Sequence, residues 1–136
     1  MCTSTSGHVV AIEPEANNLR LLPKSISANN VTNVSIIDGG VGTSAGYAEL
    51  SLNDPSNLGM HSLRQDLHSN NKVNIEIDTI NHILENHSRK IELLKMDIEG
   101  FKIDALLGAE ITLARTKQVQ IEYTPKFTRT CGRDPN

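Results

Sequence analysis

Residues 93–100 read LLKMDIEG, and the fold turns on them: an apolar run closes on two acids and a glycine, and a helical stretch follows. Leu93 to Ile98 has the composition of a buried strand. Asp97 and Glu99 stand two apart, so an extended chain places both carboxylates on one side. The helical stretch runs through Leu106 and Leu107, with Gly108 placed to end or bend it. Ligands in open α/β sheets gather beyond the carboxyl ends of strands, which makes Asp97 and Glu99 candidate catalytic residues. The same pair also fits an acid that caps a helix ahead of a turn glycine, and the residues alone leave both readings open.

Outward from this element, strand and helix patterns alternate. Val9 to Ile12 is a short apolar run that stops at Glu13-Pro14, and Leu19, Leu22 and Ile26 follow at roughly helical spacing. Pro14 suits a first helical turn, whereas Pro23 predicts a kink or an early end. Val34 to Ile37 forms the next run and closes on Asp38-Gly39-Gly40-Val41-Gly42. Ala48, Leu50 and Leu52 alternate with Tyr47, Glu49 and Ser51, a half-buried strand pattern. Residues 53–70 are polar and loop-like. Val73, Ile75 and Ile77 alternate again, and Thr79 is placed to cap a short helix facing inward through Ile80, Ile83 and Leu84. Val119, Ile121 and Tyr123 suggest a last strand. This order, with one or two hairpin-like strands mixed in, favours an α/β sheet.

Two further acids stand at strand ends. Glu13, between a strand and a helix, occupies the position from which a carboxylate accepts hydrogen bonds from both hydroxyls of a ribose. A solvated loop Glu, favoured by the helix dipole, fits the same position. IIDGGVGTSAG (36–46) has the glycines of a phosphate or cofactor loop, but such a loop leads straight into a helix. Here an alternating strand pattern follows, so a tight connection into a hairpin is the better reading. Asp38 remains as a strand-end acid able to receive an adenine amino group. Of the five histidines, His82 and His87 stand five apart, poor spacing for one helical face, and no metal site is expected.

Composition narrows the function classes. The 136 residues carry a net charge of -3 with scattered basic side chains, unlike the clustered Lys and Arg of a nucleic-acid surface. No apolar run approaches a membrane span, and no signal-peptide pattern opens the chain. Cys2 and Cys131 form no CxxC pair, so a reducing, cytoplasmic setting is the default. Aromatic residues make up only 3%, which leaves the core to Ile, Leu and Val.

Taken in order, these segments resemble the FkbM family of methyltransferases. GHVVAIEPEANN (7–18) is similar to the family's second strand and ribose acid, and VTNVSIIDGGVGTSAGYAEL (31–50) to its third strand and continuation. NLGMHSL (57–63), NIEIDTI (74–80), LLKMDIEGFKIDALLGAE (93–110) and VQIEYTP (119–125) follow as further matching segments. Lys102 stands where the family usually has Glu. The resemblance implies an incomplete Rossmann-like class I methyltransferase sheet with an inserted β-hairpin over residues 7–125, flanked by tails 1–6 and 126–136. It implies S-adenosyl-L-methionine as cofactor, Glu13 on its ribose, Asp38 near its adenine, and Asp97 with Glu99 facing a small-molecule methyl acceptor. A non-catalytic remnant or binding module is the alternative.

The family's opening strand and its glycine loop are expected ahead of residue 7. Without that strand, Val9–Ile12 and Leu93–Asp97 lose a shared neighbour, and the sheet is expected to split into halves with open inner edges.

Overall fold

Short β-branched runs, a 13-residue helix and a set of close glycine contacts account for most of the architecture. A computed structural model describes residues 7–52, 72–98 and 101–122. The chain divides into two units, Met1–Gly40 and Val41–Asn136.

The first unit is a β-α-β element. β1 (Val9–Glu13) and β2 (Val34–Asp38) are parallel, in register from Val9↔Val34 to Glu13↔Asp38. The crossover is α1 (Ala16–Ala28), which a parallel pair requires because its strands run in the same direction. The strand entry is tied by Val9 N–H donating to Asn33 O at 2.9 Å and Asn33 Nδ2 donating to Gly7 O at 2.6 Å.

Glu15 caps α1, accepting from Asn18 N–H at 2.8 Å and from Asn17 Nδ2 at 3.0 Å. Pro14 lies just outside the helix rather than in its first turn. The helix also continues through Pro23 to Ala28 instead of ending early. Pro23 lacks the N–H that would reach the carbonyl four residues back and its ring crowds that carbonyl, yet α1, which buries none of its residues, runs on past it. The C-terminus closes with Asn30 at φ 53°, a left-handed position that Asn adopts more readily than most residues.

The unit boundary falls within β3 (Gly40–Val41), which joins β4 (Gly46–Ser51) and β5 (Lys72–Asp78) in a sheet ordered β3-β5-β4. β4 and β5 are antiparallel, with Ala48↔Ile75 and Tyr47↔Glu76 among the partners. Leu50 and Ile75 are buried, and Ala48, Leu52, Ile77, Ile98 and Phe101 pack against them. Tyr47 and Glu76 face solvent, as alternation demands. Ser51, expected on the solvent side, is fully buried. The glycine run does not close a hairpin between its flanking strands, because β3 and β4 lie on opposite sides of β5.

α2 (Ile80–Ile83) follows β5 directly, with Thr79 Oγ1 accepting from His82 N–H at 3.0 Å. Ile80 and Leu84 are buried beneath it. β6 (Ile91–Met96) and β7 (Thr116–Ile121) form a parallel pair, in register from Ile91↔Thr116 to Met96↔Ile121. Between them run α3 (Lys102–Leu107) and an unexpected helical turn, α4 (Glu110–Ala114). Asn81 Oδ1 accepts the Thr112 N–H at 2.9 Å, a cap for α4 delivered from α2.

Gly108 ends α3, as its position suggested, but with an ordinary φ of -79°. Its need for glycine is steric: a Cβ there would run into the Gly42 carbonyl oxygen. The sheet is thus not one continuous Rossmann-like layer among the described residues. It falls into three small sheets, β1-β2, β3-β5-β4 and β6-β7, and the architecture is mixed α/β.

Candidate functional site

The last residues of β1 and β2 are Glu13 and Asp38, and they are register partners. Residues in register on parallel strands share a face, so both carboxylates leave the same side of the pair at its carboxyl end. Glu13 is half-buried and Asp38 exposed. One oxygen of Glu13 accepts the Glu15 N–H at 2.9 Å, which sets the carboxylate's orientation. Its other oxygen carries no partner among the described residues, and neither does the Asp38 side chain. The cap of α1 itself is Glu15, only 3% exposed, while Glu13 stands just ahead of the helix, a position that both readings of this acid share. Glu15 escaped the sequence reading because Glu is not among the favoured capping residues.

Beyond Asp38 the chain turns sharply. Gly39 adopts φ 148°, and its N–H donates to Glu13 O at 3.3 Å. This bond extends the strand pairing by one residue and fixes the backbone beside both acids. Two neighbouring carboxylates with open oxygens form an acceptor-only surface, suited to ligand hydroxyl and amino groups.

In the second unit, Asp97 follows β6 directly and is exposed. The side chains on either side of it are held inward: Met96 is buried, and Ile98 packs against Leu50 and Ile75. Asp97 therefore stands at the carboxyl end of a parallel strand, anchored by two apolar neighbours. Glu99, its expected partner, lies outside the described residues, as do the 57–63 segment and Tyr123.

A group that sequence reading passed over sits at the end of β5. Asp78 Oδ2 bonds His82 Nδ1, and Asp78 Oδ1 accepts the Thr79 N–H at 2.7 Å. The hydrogen bond to His82 holds the Asp78 carboxyl below its ordinary range, and the same bond raises the His82 pKa. The i,i+4 spacing was the available signal, but it spans a strand–helix boundary and so falls on no single periodic element.

The family model described as the methyltransferase FkbM domain matches residues 3–131. The fold is similar to the crystal structure of methyltransferase FkbM from Methylobacillus flagellatus KT, with a TM-score of 0.57 and 22% sequence identity. That match covers 84% of this chain and 25% of the other, so the chain spans about a quarter of that protein's length. No curated protein matches the chain. Among the described residues, no helix is long and apolar enough to cross a membrane.

Proposed function

The chain belongs to the FkbM methyltransferase domain family, and from that premise we propose that it carries the nucleoside-binding acids of an S-adenosyl-L-methionine-dependent methyltransferase acting on an oxygen nucleophile. The observation that carries this reading is the register pairing of Glu13 with Asp38 at the carboxyl ends of β1 and β2. That is where an open α/β sheet of Rossmann-like descent holds a nucleoside.

The residues present fit the cofactor's nucleoside half. Glu13 offers an oriented carboxylate with an open oxygen for the ribose hydroxyls. Asp38, one strand over, offers acceptor oxygens for an adenine amino group. When bound, S-adenosyl-L-methionine supplies a sulfonium-activated methyl group, so the protein's main task is alignment. Asp97, and with it Glu99, would orient the acceptor hydroxyl or take its proton. The acceptor is proposed to be a small molecule rather than nucleic acid or a membrane, and the setting cytoplasmic, as charge and cysteine usage suggest.

The alternative is a module that binds the cofactor without turning it over. Titration calorimetry with S-adenosylhomocysteine tests the shared premise. Binding that weakens at least tenfold in Glu13→Ala supports the site, and binding unchanged by that substitution removes Glu13 from it. Methyl transfer from radiolabelled cofactor to a panel of small hydroxylated acceptors, lost in Asp97→Asn, selects the enzyme. Binding with no transfer to any of them selects the module.

A further inference from the structure

We propose that His82 and Glu85 form a two-point site for a divalent transition ion of the zinc, nickel or copper class, at the carboxyl end of β5. Neither side chain has a part in the nucleoside or acceptor roles above, so the proposal stands apart from the methyltransferase reading.

The geometry starts from Asp78. Its Oδ1 accepts the Thr79 N–H at 2.7 Å, and its Oδ2 bonds His82 Nδ1. A carboxylate on Nδ1 places the neutral ring's proton there and turns the Nε2 lone pair outward. Nε2 faces Glu85 Oε2 at 3.8 Å, a separation too long for a hydrogen bond. The other oxygen of Glu85 accepts from Asn86 Nδ2 at 3.4 Å, which favours the orientation that turns Oε2 toward the ring.

An ion bound at ~2.0–2.2 Å by one nitrogen and one oxygen holds tetrahedral ligands roughly 3.4 Å apart. The observed gap therefore closes onto an ion with a few tenths of an ångström of movement. His82 also has a supporting partner of the kind metal sites use, the Asp78 carboxylate behind its ring. Mixed imidazole and carboxylate donors favour zinc, nickel or copper over magnesium and calcium, which prefer oxygen alone. Among the described residues no three His, Cys, Asp or Glu side chains converge as a complete ligand set. Water completes the shell, and the His82 and Glu85 side chains, 62% and 56% exposed, leave room for it. Sequence spacing gave His82 and His87 no common helical face, and the structure instead sets His82 between Asp78, which bonds its Nδ1, and Glu85, 3.8 Å from its Nε2.

The competing arrangement is a protonated His82 lying between two carboxylates with no ion. The full chain, freed of metal by chelator and dialysis, is titrated with zinc chloride by calorimetry, with magnesium chloride as control. The expected result is one zinc ion per chain, no magnesium binding, loss of zinc binding in His82→Ala, and a weakening of about 10–100-fold in Asp78→Asn. Glu85→Gln, which leaves Thr79 and Asp78 in place, is expected to weaken binding as well. Nickel-induced broadening of the His82 ring resonances locates the ion directly. Absence of saturable zinc binding, or binding that survives unchanged in His82→Ala, overturns the proposal.

Discussion

Glu13 and Asp38 end adjacent parallel strands in register, which sets their backbones about one strand spacing, ~4.8 Å, apart and both side chains on one face. No cation among the described residues separates them, and the Gly39 N–H ties the backbone beside them. An acceptor surface of this kind gains by receiving donors from a ligand.

Removing one acid at a time measures that gain. Hydrogen bonds to a charged group contribute about 1.5–3 kcal/mol each, so Glu13→Ala is expected to weaken S-adenosylhomocysteine binding by about 10–100-fold. Asp38→Ala is expected to weaken it less, because a single amino group is its proposed partner. Equal affinities for both variants and the parent protein, measured by calorimetry, would remove the pair from the site.

The Gly42–Gly108 approach gives a sharp steric contrast. A Cβ at Gly108 would collide with the Gly42 carbonyl and lie 3.3 Å from the Thr79 Cβ, while one at Gly46 would meet nothing within 4 Å. Gly108→Ala is expected to cost about 1–3 kcal/mol through overpacking. Gly46→Ala lies within a strand and is expected to stabilise by about 0.5 kcal/mol. Thermal melts of the two variants should move in opposite directions.

Arg115 binds three main-chain carbonyls at once, those of Leu84, His87 and Arg89. The segment after α2 depends on it, since a guanidinium fork satisfies several acceptors that one ammonium cannot. Arg115→Met is expected to destabilise by about 1.5–3 kcal/mol, with Arg115→Lys between it and the parent in chemical denaturation.

The Asp78–His82 pair sets a pH window. Hydrogen bonding to Asp78 raises the His82 pKa, so its contribution is full below the unfolded value and is lost as pH rises through the folded one. Hydrogen bonding to His82 lowers the Asp78 pKa, so that contribution holds above the unfolded value and is lost as pH falls through the folded one. The pair therefore contributes in full between the unfolded Asp value and the unfolded His value, and is lost as pH passes either folded value. An NMR titration in metal-free buffer should place the His82 midpoint above the ordinary ~6.5, and Asp78→Asn should bring it down. An unchanged midpoint in that variant would break the assignment.

What was legible in the sequence was local. The apolar runs of β1, β2 and β6 and the alternation of β4 and β5 could be read because each signal is contained within a few neighbouring residues. The Thr79 cap was legible for the same reason, its partner being three residues away. α4 was not, because the cap that closes its first turn comes from Asn81, 31 residues earlier. The requirement for glycine at Gly108 was legible only as a helix end, since its steric cause lies in Gly42, far along the chain. The acids at the strand ends were identified singly, but their register was not, since it depends on how β1 and β2 align.

Glu13 and Asp38 both lie within one β-α-β segment of the first unit, which has a consequence for local unfolding. A ligand held by Glu13 and Asp38 stabilises whichever opening reaction separates β1 from β2. Amide protons from Val9 to Asp38 should then exchange more slowly with solvent when the ligand is present, while those of β6 and β7 keep their rates.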